Sequence, residues 1–485
     1  MDNPMLVLGG VLVAATATYL LINKTQRERL VHGFKARGRK APSSGTPPPD
    51  ISPEKQPSAP PYRDLSMMLP NPGLPTKDAL SPKDLSDADV VQSILPMNEN
   101  YQTCTEVKFT PPGFSTEEIK SMGNFPDYAT LSGIPLPEAY KEFDIDKALP
   151  RPYRPFRWNY HQTMSLTKMD SDWWLELENT YRSRIAQRKE LHAQYGKTVL
   201  DKMPGSELAC KELMEMVIQF LCARYPQYFC LSDNKRYFTN GILNTVEDLH
   251  AKDPLVFLMD NVPEDFGIML RDDKTGYYFL RAGSVCSSLG WNLGTKLGMQ
   301  LHEIHAPIPD YKEKMQFSMD RYFAKMPTDK PIQRGSWGLE VEQPLFMPPG
   351  DPHELHRQNQ SSNLDISSCY LRVDWQTLRR LPLSGAIIFN FKALFTPVSE
   401  FRDEPGMPAL VAKILREGKQ SIMQYKNTWH VEHVVLPALD KWAAEQEEKG
   451  LVEKGWKVET LEENICAGYI TNSSNTTDAL SALPS

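Results

Sequence analysis

An uninterrupted run of 18 residues without a charge, MLVLGGVLVAATATYLLI from Met5 to Ile22, constrains this chain before any other feature does. A helix of about 20 residues spans the roughly 30 Å apolar core of a bilayer, so the run is just long enough to cross one. Lys24, Arg27, Arg29, Lys35, Arg37, Arg39 and Lys40 follow it, whereas Asp2 is the only charged side chain ahead of it. Basic flanks stay in the cytosol, which places the chain from Lys24 onward on that side. A cleaved signal peptide would carry its basic residues before the apolar run. The expectation is an uncleaved single-pass anchor over residues 1–23 with a cytosolic body, and the endoplasmic reticulum as the membrane.

Residues 24–65 change character to a basic stretch and then APSSGTPPPDISPEKQPSAPPY, too rich in Pro and Ser to pack as a regular element. This reads as a tether. Proline continues to punctuate residues 66–160, in phrases such as LPNPGLP, and predicts an irregular wrapping layer. A folded body over 161–446 and a C-terminal extension over 447–485 complete the division. With 485 residues, 40% hydrophobic and 24% charged, the chain has ample material for a large core. Its 54 Lys and Arg against 61 Asp and Glu give a net charge of -7, without the general positive field of a nucleic-acid binder. Seven cysteines with no CxxC pair fit a reducing compartment.

Within the body, Trp173, Trp174, Leu177, Tyr181, Ile185 and Leu191 recur near helical spacing and predict a helix from Asp172 to about Tyr195. A second helix is expected from Ser206 to Tyr225. PLVFLMD, DFGIMLRDD and YYFLRAGSVCSS then read as strands, the last two as a hairpin. CYLRVDWQTLRRLP and GAIIFNFKALFTPV read as two more, and helices return at about Met407–Tyr425 and His430–Gln446. The fold class that follows is α+β around an antiparallel sheet.

No G-x-G-x-x-G, Walker A, H-E-x-x-H or G-x-S-x-G phrase is present. Haem remains open, because one side-chain ligand can hold it. In LHEIHAPIPDY, Pro307 stops any helix soon after His305, so this imidazole sits at a helix end or loop, where it either ligates iron or caps the turn. His353 with His356, and His430 with His433, show metal-like spacing but lack further ligands. In LRVDWQTLRRLP, Arg372, Gln376 and Arg379 lie close together. They suit either inward contacts to a carboxylate or a solvated basic face.

Four phrases together carry a family likeness: YRPF beginning at Tyr153, DWWLELENTYRSRIAQRKEL from Asp172, IHAPIP from Ile304 to Pro309, and LRVDWQTLRRLPLSGAIIFNFKAL from Leu371. Over roughly Arg151 to Tyr425 the chain resembles the haem-dependent oxidative N-demethylases. The resemblance implies a PAS-like haem-binding core wrapped by helices, and a monooxygenase that uses O2 to remove a methyl group from a small secondary amine. It makes His305 the iron ligand of a haem b, Arg372 and Arg379 the haem-propionate contacts, and Arg372, Gln376 and Glu342 the candidates for chemistry. Electrons from NADPH would arrive through a separate flavin or iron-sulfur protein. Asp374 and Trp375 stand where the family phrase has Glu and Arg, so the pocket can differ. The alternative is a membrane-tethered PAS-like haem sensor without turnover.

Overall fold

The computed structural model describes residues 110–160, 163–272 and 275–461. The anchor and tether expectations lie outside them; among the described residues no helix is long and apolar enough to cross a membrane. The wrapping segment is described from residue 110. It is mostly irregular, with two short helices, α1 (Thr116–Met122) and α2 (Tyr128–Ser132).

Strand β1 (Thr167–Lys168) comes next, then helix α3 (Tyr181–Tyr195), strand β2 (Leu200–Lys202) and helix α4 (Glu207–Arg224). Helix α3 starts nine residues later than the spacing predicts. Trp174, Leu175 and Leu177 are buried, but they belong to an irregular segment in which Glu178 folds back onto Thr180 through its backbone N–H and hydroxyl. A small antiparallel sheet, β3 (Phe229–Leu231), β4 (Tyr237–Asn240) and β5 (Thr245–Asp248), follows. PLVFLMD is a helix rather than a strand: α5 (Pro254–Asn261) opens with the Asp253 carboxylate accepting from the N–H groups of Leu255 and Val256, and with Pro at its first position. A proline there loses no helical hydrogen bond, and an aspartate before it satisfies free donors. An apolar run this short has no period of its own to decide the matter.

The hairpin β6 (Asp265–Arg271) and β7 (Tyr278–Ser284) forms as expected. The stretch 301–325 carries α6 (Leu301–Ile304) and α7 (Gln316–Lys325). A three-strand meander then runs through β8 (Ile332–Val341), β9 (Cys369–Arg380) and β10 (Ile387–Pro397). Strand β10 closes beside β6, giving a seven-stranded antiparallel sheet in the order β1-β8-β9-β10-β6-β7-β2. The C-terminal portion forms α8 (Met407–Glu417), α9 (Gln420–Lys426) and α10 (Trp429–Glu448). Gly418 separates the first two, since a Cβ there would stand 2.5 Å from the Ile414 carbonyl oxygen.

Side chains alternate between the faces of a strand, and directly paired residues share a face. One face therefore carries Leu378, Ile387, Phe389, Phe391 and Met269, which pack with Leu301, Tyr311, Met315 and Phe323 of the 301–325 stretch. The other carries Phe266, Ile268 and Ile388, packed in one core with Leu213, Val217 and Leu221 of α4 and Leu255 of α5. Leu371 and Val373 extend this face into a third cluster with α8 and α10.

Candidate active site

Sequence distance hides what the sheet brings together. The pairing of β8 with β9 sets Arg334 beside Gln376, and Ser336 beside Asp374, on the face toward the 301–325 stretch. Phe389 and Phe391 extend that face onto β10, their ring centroids 5.3 Å apart, and Trp291 lies 6.3 Å from Phe391. Gln376, Phe389 and Arg334 belong to inner strands, yet each is only half-buried. The layer above therefore does not seal the face at these three positions, and the part-open stretch between them, beside Phe391 and Trp291, is the candidate cleft.

His305 belongs to the layer over this face. It terminates α6, and its Nδ1 lies 2.6 Å from the Leu301 carbonyl oxygen. A carbonyl only accepts, so Nδ1 carries the proton and Nε2 keeps its lone pair. The ring stacks on Tyr311 at 5.1 Å and 10°. Burial lowers the His305 pKa to about 4 against the opposing Leu301 bond, and the cations Lys296 and Arg334 lower it further. The imidazole is therefore neutral at physiological pH, oriented through one nitrogen and free at the other. Metal-binding histidines have this tautomer and this kind of support.

Cations surround the cleft without matching carboxylates. Arg334 has no hydrogen-bond partner and a buried Nε; burial lowers its pKa, and the groups that oppose the shift are tyrosines 160, 425 and 153. Lys296 donates to the Ile304 carbonyl at 2.9 Å and lies over Trp291. Lys426 donates to the Trp337 carbonyl at 2.6 Å, and burial lowers its pKa to about 7. Of the acids on this face, Glu340 and Asp265 are taken by Arg357 and Arg188, while Asp374 Oδ1 accepts from Arg372 Nε at 3.0 Å and Nη2 at 2.9 Å.

The predicted site residues are distributed differently from the expectation. His305 and Gln376 lie in the two layers that bound the cleft. Arg372 shares Gln376's face but has no free donors: besides Asp374 it serves the carbonyls of Ser287, Pro344 and Leu345. It braces two loops and is not available to a propionate. Arg379 is seven residues away, an odd number, and so stands on the opposite face, 4.3 Å over the Trp174 ring. Glu342 is exposed just beyond β8, with a left-handed φ of 59°, and does not reach the cleft. Its neighbour Glu340 is buried but paired with Arg357. Arg334, Lys296, Lys426 and the role of Asp374 were missed; reading IQRGSWGLEV as a strand would have placed Arg334 beside Gln376.

Among the described residues no group of three His, Cys, Asp or Glu could hold a metal ion. His353 and His356 have ring centroids 4.8 Å apart, while His433 Nε2 contacts the Ser361 carbonyl oxygen. The donor set of the cleft does suit haem, which needs one axial imidazole, flat apolar walls and cations for two propionates. Comparison with known families agrees: the family described as haem-dependent oxidative N-demethylase, alpha subunit-like, matches residues 165–436. The match covers more than half of the chain and spans β8, β9, β10 and His305, and the chain belongs to this family.

Proposed function

We propose that this member of the haem-dependent oxidative N-demethylase family would hold a b-type haem in the cleft between the sheet and the 301–325 stretch, through His305 Nε2. The reaction it would support is the O2-dependent oxidation of a small secondary amine, with electrons delivered by a separate flavin or iron-sulfur protein. The observation that carries the reading is the His305 ring: neutral, oriented by Leu301, and unpartnered at Nε2. A PAS-like core is part of this proposal, and the antiparallel order that sets β10 beside β6 is compatible with it.

Bound haem would supply electron transfer and O2 activation, as the cofactor does in other proteins. The chain's own residues would do the rest. Arg334, with no carboxylate of its own, and Lys296 are positioned to neutralise propionates. Phe389, Phe391 and Trp291 would exclude water and give the porphyrin a flat apolar wall. Arg372 holds one carboxylate oxygen of Asp374 and leaves the other open. It is the acceptor that would orient a protonated amine, since an unpaired buried cation is costly. Gln376, one step along the same face, would add a neutral polar contact. An N-terminal anchor would hold the body on the cytosolic side of the endoplasmic reticulum, within reach of a reductase.

The test is the absorption spectrum of the full-length protein produced with haem available, beside His305→Ala. The expected result is a Soret band in the parent that is lost or shifted in the variant, followed by amine-dependent O2 consumption with formaldehyde release. A stoichiometric band unchanged by His305→Ala removes His305 as ligand, and a colourless parent removes the haem reading. Haem binding without any amine-dependent O2 uptake would favour the sensor.

A further inference from the structure

Four of the chain's ten histidines gather in one seam, at the end of β8 away from Arg334. His353 and His356 stand on a 3-10 turn, Pro352–Gln358, with their ring centroids 4.8 Å apart. His430 and His433 stand in the first turns of α10. Arg357 of the 3-10 turn crosses to Glu340 of β8, and His433 Nε2 lies 2.8 Å from the carbonyl oxygen of Ser361, just after the turn. His430, 1% exposed, has its Nδ1 2.9 Å from the Asn427 carbonyl oxygen. A carbonyl only accepts, so these two nitrogens carry protons, and His430 Nε2 and His433 Nδ1 carry lone pairs. Both are buried without a partner, as is His353 Nε2. No acceptor stands ready for a second N–H on His430 or His433, so the closed seam holds neutral imidazoles.

A further proton has no favourable place here. The charged groups that act on His430 are Glu340, Arg357 and His353, and the carboxylate of that set is engaged by Arg357. The other acids of the packed elements serve their own turns. Asp351 accepts from the His353 N–H at 2.8 Å and Glu354 from the Gly350 N–H at 3.2 Å. Glu432 accepts from the Thr428 hydroxyl at 2.6 Å and Asp365 from the Ser367 N–H at 2.9 Å. Lys426, at the end of α9, is turned to the Trp337 carbonyl. His430 and His433 also lie at the positive, N-terminal end of the α10 dipole, where a cation is disfavoured. Burial, with Arg357 and His353, lowers the His430 pKa against Glu340 and the Asn427 bond. A released imidazole titrates at about 6.5 and the seated one lower, so closure is complete above about pH 6.5 and is lost as pH falls below it.

The seam also fixes the segment that leads into it. The Met347 N–H donates to the Ser288 carbonyl at 2.9 Å, the Met347 carbonyl accepts the Gly290 N–H at 2.7 Å, and the Pro344 carbonyl accepts Arg372 Nη1 at 2.8 Å. We infer that the 3-10 turn and the start of α10 form an acid-released latch, which holds residues 343–361 against the body while its histidines are neutral and frees them when those histidines gain protons. The latch belongs to the chain alone and stands whether or not haem binds. Its release would loosen the loop that carries Trp291 and the brace that Arg372 places on Asp374.

Hydrogen exchange of the full-length protein, read by mass spectrometry at about pH 7.5 and about pH 5 and corrected for the intrinsic rate at each pH, tests the latch. Strands β9 and β10 are the internal reference. Expected at the lower pH is exchange at least tenfold faster across 343–361, the factor that one pH unit of displacement gives, with β9 and β10 changed less than about twofold. His430→Gln and His353→Gln each remove one titrating ring. In both, the segment should stay protected at the lower pH, its acceleration cut to about threefold or less. If His430→Gln does not fold, the half-buried His353→Gln decides. No acceleration in the parent, an equal acceleration of β9 and β10, or the same acceleration of 343–361 in parent and variants would each overturn the inference.

Discussion

Glu212 on α4 lies fully buried against the turn between β9 and β10, where its two carboxylate oxygens accept the backbone N–H groups of Leu383 at 2.6 Å and Ser384 at 2.8 Å. With Arg380, whose Nη1 donates to the Gly385 carbonyl at 2.9 Å, it holds LPLSGA in place. Burial raises its pKa from 4.5 to about 7, overriding the Ser384 and Leu383 hydrogen bonds that favour the charge. A carboxyl raised on folding keeps its proton to higher pH than the unfolded chain does. Its stabilising contribution is therefore complete below pH 4.5 and is lost as pH rises through about 7. At roughly 1.4 kcal/mol per pH unit of displacement, the loss amounts to about 3 kcal/mol. Glu212→Gln removes this titration and keeps one acceptor for the turn. At pH 5 the variant should be less stable than the parent by about 1–3 kcal/mol, because one buried N–H then faces an amide N–H2. By pH 8 the deficit should shrink toward zero or reverse. Glu264, also raised by burial to about 7, titrates in both proteins and cancels in the difference. Urea unfolding at pH 5, 6, 7 and 8 measures it, and parallel stability curves for parent and variant would refute the assignment of a raised Glu212.

Three other perturbations probe the site and its supports. Gly335→Ala would place a Cβ 2.3 Å from Tyr153 Cε1 and 3.1 Å from Pro155. It should displace the YRPF segment and cost about 1–3 kcal/mol in denaturant unfolding; a neutral result would mean that this segment does not pack on β8 as described. Arg334→Gln should weaken haem retention about tenfold in transfer to apomyoglobin while leaving the Soret position unchanged, because it removes a propionate cation and not the ligand; unchanged retention would take Arg334 out of the site. Asp374→Asn should raise the amine KM at least tenfold with a smaller change in kcat, and an unchanged KM would leave the amine to another acceptor.

The sequence made some parts of this molecule readable and not others, for physical reasons. Strands β6, β7, β9 and β10 are visible because their alternation or apolar runs are long and are bounded by turn residues, as at Asp272 and Gly276. Helix α4 is visible because Pro204 and Gly205 precede an 18-residue segment in which Leu213, Val217, Phe220 and Leu221 recur at helical spacing. Strand β8 is obscured by two glycines, Gly335 and Gly338, and its reason for tolerating the first is the Tyr153 ring, which only the folded chain brings there. His305 was placed at a helix end from Pro307 alone. What the sequence could not show is that its Nδ1 would find Leu301 and that its ring would lie on Tyr311.

The two arginines of the strongest motif make the same point about chemistry. Arg372 and Arg379 stand in one strand phrase, and a shared role for them is natural when only proximity is counted. An odd separation in a regular strand puts them on opposite faces, and the unbroken register of β9 with both neighbours keeps it so. One motif therefore serves three environments. Arg372 ties β9 to the loops at Ser287 and Pro344 and fixes Asp374. Gln376, beside Arg334, faces the cleft under His305. Arg379 turns to Trp174 on the far side. A substitution at Arg379 that changed haem retention without altering the fold would have to act through the sheet, by shifting Leu378, its neighbour on the cleft face. One at Arg372 would act through Asp374 directly. Comparing Arg379→Met with Arg372→Lys in the haem-transfer assay separates these routes: the first should leave retention within about twofold, and the second should alter the amine KM before it alters retention.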